Sequence, residues 1–248
     1  MTLDVAVVHH LAEGGGAFRV LAEYLARRPE HRFTVYTRMP EPTARLVRLP
    51  DHVAVVRRPL RTPATRAGRL RQLARLPHYG RTLAARIDAG GHDVVFAHAS
   101  LLVQAHETLP HLRTPTLCYA PEPLRSAYEE PPAFGRSGAP RERLVRAGLD
   151  PYEALRKRLD RHHLRGADTV VTHSRFTAAA LLRIYGVHAD VVRLGVDADA
   201  FTPAARARER TVLSVGALHP LKGHQDVIAA VAAIPADRRP AVVIVGDR

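Results

Sequence analysis

The chain has 248 residues, of which 46% are hydrophobic and 25% are charged, a composition typical of a globular protein with one large or two small domains. No apolar run reaches the roughly 18–20 residues that span a bilayer, and no basic leader precedes the first apolar segment. We therefore expect neither a membrane-spanning nor a secreted protein. Cys118 is the single cysteine, which excludes an internal disulfide and favours a reducing, cytoplasmic location.

The formal net charge is +13, and much of it lies in one segment. No acidic residue occurs between His52 and Asp88, whereas nine arginines fall within Arg57–Arg86. Such a segment attracts anionic partners, for example a phospholipid surface, a phosphate-bearing substrate or nucleic acid.

Apolar strand patterns alternate with amphipathic helix patterns along most of the chain, which predicts an α/β, doubly wound parallel sheet. The predicted strands are Leu3–Val8, Phe33–Thr37, Val53–Arg57, Asp93–Ala97, Pro115–Tyr119, Thr169–Thr172 and Asp190–Arg193. The predicted helices are Ala17–Arg28, Arg66–Leu76, Tyr79–Ala89, Ser100–Leu109, Tyr152–Arg165 and Arg175–Tyr185.

The last part of the chain predicts a second domain. Thr211–Ile234 has the pattern of a buried strand, a glycine-containing turn and a helix, and Ala241–Arg248 begins with another strand. We expect residues 1–205 to form the first Rossmann-like domain, with a linker over Leu194–Arg210, and residues 206–248 to begin a second, incomplete one. Glu129–Asp150 is predicted to be a long loop.

Three consecutive glycines, Gly14 to Gly16, lie between the first strand and the first helix. Such a loop lets backbone amides approach a phosphate at the helix N-terminus, although the same pattern also occurs in plain tight turns. A nicotinamide enzyme would need G-x-G-x-x-G and an acid after the second strand. Here the loop is GGGAFR and Arg38 follows the second strand, so an oxidoreductase is the weaker interpretation.

Five ordered motifs carry a resemblance to a known family. They are EGGGAFRVLAEYLARR, VVTHSRFTAAALLRIYGV, VVRLGVDADAFTP, VLSVGALHPLKG and VVIVGD, and together they span nearly the whole chain. Their order and spacing resemble the family 4 glycosyltransferases, which are retaining, nucleotide-sugar-dependent enzymes of the GT-B fold. The resemblance implies an acceptor-side N-terminal domain, the start of a donor-binding C-terminal domain, and transfer of a sugar from a UDP- or GDP-sugar to an acceptor hydroxyl.

Carried over by position, the resemblance implies that Lys222, Gly15, Gly16 and Gly216 bind the donor phosphates. A fixed ammonium beside the departing diphosphate would stabilise the negative charge that grows there. The surface turn position of Lys222 is also compatible with a merely solvated lysine.

On the acceptor side, the resemblance implies cleft-lining roles for a set of five residues, which are Gly14, Glu122, Arg125, Tyr128 and Ser174. Ser174 also precedes a helix, where it is a natural N-cap. The family often places a histidine beside the reacting sugar, and its position here is taken by Pro121 or its neighbours. His98 and His10 are the weak candidates for that role, since a lone histidine at a strand end more often has a structural role.

The sequence departs from the family pattern at Ala217, where an arginine commonly contacts the donor phosphates. The E-x7-E segment of the family would lie beyond Arg248, so we expect the chain as given to be inactive in sugar transfer. A non-catalytic or split glycosyltransferase-like binding module is therefore the alternative. The fifteen histidines show no metal-ligand spacing, and we expect no metal and no cofactor besides the nucleotide sugar.

The arginine-rich segment Arg57–Arg86 has three interpretations. It is a solvated surface, a docking site for anionic lipid, or, least favoured, a nucleic-acid site, since no aromatic residues interleave with the arginines. In the lipid interpretation Leu70, Leu73 and Leu76 form the apolar face of an amphipathic helix. The protein would then work in glycan, glycolipid or cell-envelope polysaccharide synthesis at the inner face of the plasma membrane.

Overall fold

A computed structural model describes residues 1–10, 16–38, 49–59, 63–100, 102–128, 150–203 and 209–246. These residues form two compact units, of which the first contains residues up to Leu194 and the second begins at Gly195. The change from one unit to the other lies at the start of the predicted linker. The predicted long loop Glu129–Asp150 lies outside the described residues except for Asp150.

The first unit is built on a seven-stranded, fully parallel sheet of order β3-β2-β1-β4-β5-β6-β7. All seven predicted strands occur, with ends that differ by one or two residues. They are β1 (Asp4–Val8), β2 (Arg32–Thr37), β3 (Ala54–Arg57), β4 (Val94–Ala97), β5 (Thr116–Tyr119), β6 (Thr169–Thr172) and β7 (Asp190–Val191).

Helices cover both faces of this sheet. They are α1 (Gly16–Ala26), α2 (Arg66–Ala74), α3 (Leu76–Asp88), the short α4 (Arg125–Tyr128), α5 (Pro151–Leu164) and α6 (Arg175–Tyr185). One core cluster joins Leu21 and Leu25 of α1 to Val5 and Val7 of β1. On the opposite face, Ile87 and Leu181 pack with Ala6 and Val8, because successive strand residues point to opposite sides.

The helix ends follow the sequence signals. The Ser174 side chain accepts a hydrogen bond from the Thr177 amide at 3.1 Å and so caps α6. Gly186 ends the same helix with φ of 69°, a conformation that glycine adopts without penalty. Pro151 is the first residue of α5, where its missing N–H costs no helical bond.

The predicted helix Ser100–Leu109 is wrong. The described residues of this segment form an irregular loop that ends in a 3₁₀ turn at Leu109–His111. Its backbone is held by side chains of α5: Asp160 Oδ1 accepts from the amides of Gln104 and Ala105, both at 2.8 Å, and Arg156 Nε donates to Leu102 O at 3.0 Å. Backbone groups that bond to these side chains are not available for a helical ladder.

The second unit contains the parallel pair β8 (Thr211–Val215) and β9 (Ala241–Val245), with α7 (His224–Ala232) between them. The prediction that Thr211–Val215 is buried is wrong for the described residues. Leu213 and Val215 are 61% and 70% exposed, because the two described strands pair only with each other and alternate residues face away from the half-buried side.

Candidate functional site

The strand order changes direction between β1 and β4, since β2 and β3 lie on one side of β1 while β4 and the later strands lie on the other. In open parallel sheets, ligands bind beyond the carboxyl ends of the strands at such a switch point. His9 and His10 directly follow β1, and His98 directly follows β4. The fold therefore brings both candidate histidines, His10 and His98, to the expected ligand-binding edge.

The histidine rings at this edge are packed against one another and against aromatic neighbours. The His9 ring centroid lies 5.1 Å from that of His10 and 4.9 Å from that of His98. The centroid of the His98 ring also lies 4.4 Å from that of Phe96 and 5.5 Å from that of Tyr119. Burial, together with the charges of the neighbouring histidines, lowers the pKa of His9 to about 2 and that of His98 to about 3. Both rings are therefore neutral near pH 7.

A neutral His98 can take part in hydrogen bonding, but it does not carry a proton for acid catalysis at neutral pH. Its Nε2 atom is buried and has no hydrogen-bond partner in the part of the chain that the structure describes. His10 is less buried, and its Nδ1 lies 3.1 Å from the Ala99 carbonyl oxygen, so that this nitrogen is the donor. The catalytic assignment of either residue stays a prediction.

A buried charged network lies beside the histidines. Glu107 is 1% exposed, and its carboxylate accepts from Arg38 Nη1 at 3.0 Å and from Ser100 Oγ at 2.5 Å. Burial alone raises the pKa of a carboxyl, but the charges of His106 and Arg38 outweigh it and bring the pKa of Glu107 to about 2. The Arg38 guanidinium also lies 5.0 Å from the Tyr79 ring centroid. The Arg38–Glu107 ion pair is thus supported by Ser100 at the carboxylate and by Tyr79 at the guanidinium.

These groups line one cavity together with His10. The cavity contains apolar as well as polar walls, and its lining residues are His9, His10, Tyr36, Arg38, Leu76, Leu83, Ser100, Leu102, His106 and Glu107. Its free volume of about 10 Å³ holds about one water molecule, so the described residues offer a ligand a polar wall at the switch point rather than an enclosing pocket.

The sequence pattern did not lead to Glu107 or Arg38 as site residues. Glu107 lies in the segment that we predicted to be a helix, where nothing in the pattern distinguishes it from a surface residue. Arg38 entered the sequence argument only as evidence against a nicotinamide site. The available signal was positional, since Arg38 follows β2 and therefore lies at the same carboxyl edge as His9.

The predicted glycine loop is only partly described. Gly14 and Gly15 lie outside the described residues, while Gly16 is the first residue of α1. Among the described residues, no atom lies within 4 Å of the place that a Cβ on Gly16 would take, so space is open beside this first residue of the helix. That space is compatible with the predicted phosphate contact, which stays a prediction.

The predicted acceptor-side residues after β5 are exposed or half-buried. Glu122 and Arg125 are about half exposed and form an ion pair with 3.7 Å between Oε2 and Nη1. The Tyr128 ring carries the Lys157 ammonium 5.0 Å from its centroid. Ser174 caps α6, so its hydroxyl has the structural role that the sequence also allowed, and its acceptor-side role stays a prediction.

In the second unit, Lys222 and Gly216 lie in one turn between β8 and α7. A 3₁₀ turn over Pro220–Lys222 ends at Gly223, whose φ of 70° favours glycine. The Lys222 side chain is exposed, and its Cγ and Cδ lie 3.5 Å from the place that a Cβ on Gly216 would take. The Lys222 stem therefore rests on the Gly216 backbone and leaves the ammonium accessible.

The prediction that Leu70, Leu73 and Leu76 form an exposed apolar face for lipid docking is wrong. Leu73 and Leu76 are 0% and 1% exposed and form a core cluster with residues that include Leu102 and Leu159. Since only Leu70 reaches the surface, at 36% exposure, no apolar stripe of α2 is available for insertion. The arginine side chains of this helix remain at the surface.

No described helix is both long and apolar enough to cross a membrane. No group of three or more metal-ligating side chains occurs among the residues that the structure describes. The expectation that the protein needs no metal stays a prediction.

Comparisons with solved structures identify the fold. The chain resembles sucrose-phosphate synthase from Thermosynechococcus elongatus at 18% identity and a TM-score of 0.64, covering 99% of this chain and 71% of that one. It resembles Anabaena HepE, solved with UDP and glucose, at 15% identity and a TM-score of 0.54, covering 99% and 61%. A Polygonum tinctorium UDP-glucosyltransferase matches at 15% identity and a TM-score of 0.53, covering 98% and 66%.

The chain thus spans about two thirds of the length of these structures, and at such identities the similarity concerns the fold. The seven-stranded parallel sheet is the Rossmann-like fold of the GT-B glycosyltransferases. A comparison with curated proteins finds no similar sequence. The family model of Glycosyltransferase Family 4 matches residues 15–200, which is well over half of the chain. The chain therefore belongs to Glycosyltransferase Family 4.

Proposed function

We propose that this chain acts in a retaining glycosyltransferase, which moves a sugar from a UDP- or GDP-sugar to an acceptor hydroxyl in the synthesis of a glycan, glycolipid or cell-envelope polysaccharide. The observation that carries the proposal is the family match over residues 15–200, because it covers six of the seven strands of the sheet at whose switch point the polar cavity lies. Two of the structural relatives, HepE and the Polygonum enzyme, are described with UDP or as a UDP-glucosyltransferase.

On the donor side, Lys222 is proposed to contact the diphosphate. Its ammonium is accessible while its stem rests on Gly216, so the charge is held near one turn of the second unit. As the glycosidic bond of the donor breaks, negative charge develops on the departing diphosphate, and a fixed cation stabilises that charge. Gly16, the first residue of α1, with open space beside it among the described residues, is proposed as a second donor contact.

On the acceptor side, the polar wall at the switch point is proposed to face the acceptor. His10 is its half-buried imidazole, and the Arg38–Glu107 pair supplies fixed charges in its wall. A preformed wall of this kind orients a hydroxyl without reorganising, which is how binding lowers the barrier of a two-substrate reaction.

The first experiment measures donor binding directly. UDP and GDP are titrated into the chain by calorimetry, and nucleotide-sugars are then screened for transfer by mass spectrometry, with the anomeric configuration of the product read by NMR. Lys222→Ala should weaken binding of the preferred nucleotide about tenfold or more, since one charge-assisted contact to phosphate is lost. Lys157→Ala, at the only other lysine, is the matched control and should bind as the wild type does. Equal binding by both variants would refute the Lys222 assignment.

A non-catalytic binding module is the second candidate, and Ala217 favours it. This residue stands at the mouth of the Lys222 turn and offers no side chain to a phosphate. Nucleotide binding with no transfer from any sugar donor, in the longest form of the protein that can be expressed, would support the module. An oxidoreductase is not proposed further, because the family match assigns the chain to the glycosyltransferases.

We also propose that the protein is cytoplasmic and binds anionic lipid at the inner face of the plasma membrane, by charge alone. Arg69, Arg71 and Arg75 are exposed around α2, whereas Arg66 pairs with Asp150 and so has a structural role. Binding to vesicles rich in anionic lipid should fall steeply with salt and should drop when Arg69, Arg71 and Arg75 are replaced by serine. The control replaces the exposed Arg19, Arg27 and Arg28 of the α1 region, and equal loss in both variants would contradict a specific surface.

A further inference from the structure

The first residue of α7 is a buried histidine that neither the sequence patterns nor the proposed mechanism uses. His224 is only 8% exposed, although it begins a helix on the surface of the second unit. We infer that His224 is a positioning residue that fixes the Gly216–Ala217 turn, and through it the Lys222 ammonium. This inference rests on the proposed function, in which Lys222 binds the donor diphosphate.

The imidazole of His224 bridges the end of β8 and the turn that follows it. Its Nδ1 lies 2.8 Å from Ser214 Oγ. Its Nε2 lies 3.2 Å from the carbonyl oxygens of both Gly216 and Ala217. One ring thus contacts the Ser214 side chain at the end of the strand and two backbone carbonyl groups of the turn that follows.

These partners fix the protonated nitrogen of the neutral ring. A carbonyl oxygen can only accept a hydrogen bond, so Nε2 must carry the proton that the Gly216 and Ala217 oxygens share. Nδ1 of the neutral ring then accepts from the Ser214 hydroxyl, which can donate. Every polar atom of the ring is satisfied in this single tautomer, and the ring therefore holds the turn in one arrangement.

The Gly216 peptide is held from other sides as well. The Gly216 amide donates to Val245 O at 2.9 Å. A Cβ on Gly246 would lie 1.8 Å from Gly216 O, so the two turns approach as closely as glycine allows. The Lys222 stem packs on the remaining side of Gly216. Because the lysine rests on a peptide that His224 holds by its carbonyl, a change at His224 is transmitted to the position of the ammonium.

The test is a double-mutant cycle on UDP affinity, measured by calorimetry on the full chain. His224→Ala should weaken UDP binding about fivefold to tenfold, because the turn that supports Lys222 loses its clamp. His224→Gln should recover most of the loss, since its amide nitrogen can take the place of Nε2 as donor to the two carbonyls. Lys222→Ala should weaken binding about tenfold or more. The double variant should bind no more weakly than Lys222→Ala alone, because His224 acts through the lysine.

Val231→Ala is the matched control for stability. This side chain is buried in α7 and is remote from the turn, so its loss should lower the unfolding midpoint and leave the UDP affinity of the folded protein unchanged. If His224→Ala does not fold, His224→Gln and Ser214→Ala enter the same cycle, since Ser214 supplies the partner of Nδ1.

The outcomes separate the inference from the proposed function. If Lys222→Ala weakens binding but the loss at His224 multiplies with it in the double variant, His224 does not act through Lys222 and the inference is overturned alone. If UDP fails to bind, or Lys222→Ala binds as the wild type does, the donor role of Lys222 and the inference are both overturned.

Discussion

The seven-stranded unit should lose stability as the pH falls below about 6.5, a pH at which carboxylates are still ionised. The reason is that histidines beside the switch point are buried in the neutral form. Burial lowers the pKa of His9 to about 2, of His98 to about 3 and of His163 to about 4, and it lowers that of His106 as well. In the unfolded chain a histidine has a pKa of about 6.5. Between about pH 6.5 and these folded values the unfolded chain binds more protons, so stability falls as the pH falls.

The size of the effect follows from the same pKa values. Between about pH 7 and pH 5, each histidine that titrates only when unfolded lowers the free energy of unfolding by about 2 kcal/mol. His9, His98 and His163 together therefore account for about 6 kcal/mol, and His106 acts in the same direction. This is a large part of the roughly 5–15 kcal/mol that stabilises a typical domain. Burial raises the pKa of Asp160, and this one group acts in the opposite direction to the four histidines.

The assay is urea unfolding followed by far-UV circular dichroism at about pH 7 and pH 5, since the chain contains no tryptophan to report by fluorescence. His98→Phe keeps an aromatic ring among Phe96 and Tyr119 but removes the titrating group, so its loss of stability over this pH range should be about 2 kcal/mol smaller than in the wild type. His188→Phe, at an exposed position, is the control for replacing an imidazole ring with a phenyl ring. A pH dependence of His98→Phe equal to that of the wild type would refute the reasoning.

The same urea assay at neutral pH tests the contacts that hold the loop after β4. Gly80→Ala should destabilise the protein by about 2 kcal/mol or more, because its Cβ would lie 2.1 Å from the Glu107 carbonyl oxygen. Glu107→Gln should cost about 3 kcal/mol, since the buried Arg38 guanidinium loses its anionic partner. Tyr185→Phe should cost about 1–3 kcal/mol, as Asp160 Oδ2 then loses a hydrogen bond of 2.6 Å.

Each of these three variants has a control at an exposed position, and the controls for Gly80 and Tyr185 lie on the same helix as the variant. Ala85→Ser on the exposed side of α3, Glu23→Gln on α1 and Leu182→Ala, which is 43% exposed on α6, should each change stability by less than about 1 kcal/mol. A Gly80→Ala protein as stable as the wild type would mean that α3 shifts away from Glu107 at little cost. Neutral results for Glu107→Gln or Tyr185→Phe would show that the buried polar groups find other partners.

The sequence predicted the sheet because its evidence is local. Each strand is a short apolar run such as Val5–Val8 between turn signals, and the glycine and serine at the ends of α6 fix its bounds. The alternation of strands and helices then limits the topology to a parallel, doubly wound sheet. The arrangement that brings His9 and His98 together follows from that topology.

The loop after β4 could not be predicted in the same way. Leu102, Ala105 and Leu109 have a spacing close to that of a helix, yet the backbone there bonds to Arg156 and Asp160 of α5, more than fifty residues later. Such long-range contacts leave no trace in a local pattern, and they decide where Glu107 lies. The leucines of α2 show the same limit, since periodicity indicates an apolar face but does not indicate what covers it.

The tethers between α5 and this loop also affect how the protein can evolve. Arg156, Asp160 and His163 form hydrogen bonds with backbone atoms of Leu102, Gln104 and Ala105. A mutation at Gln104 therefore leaves the amide that Asp160 holds, and the loop keeps its path. Substitutions at Gln104 can therefore change the side chain that the loop presents without refolding the scaffold that carries the loop.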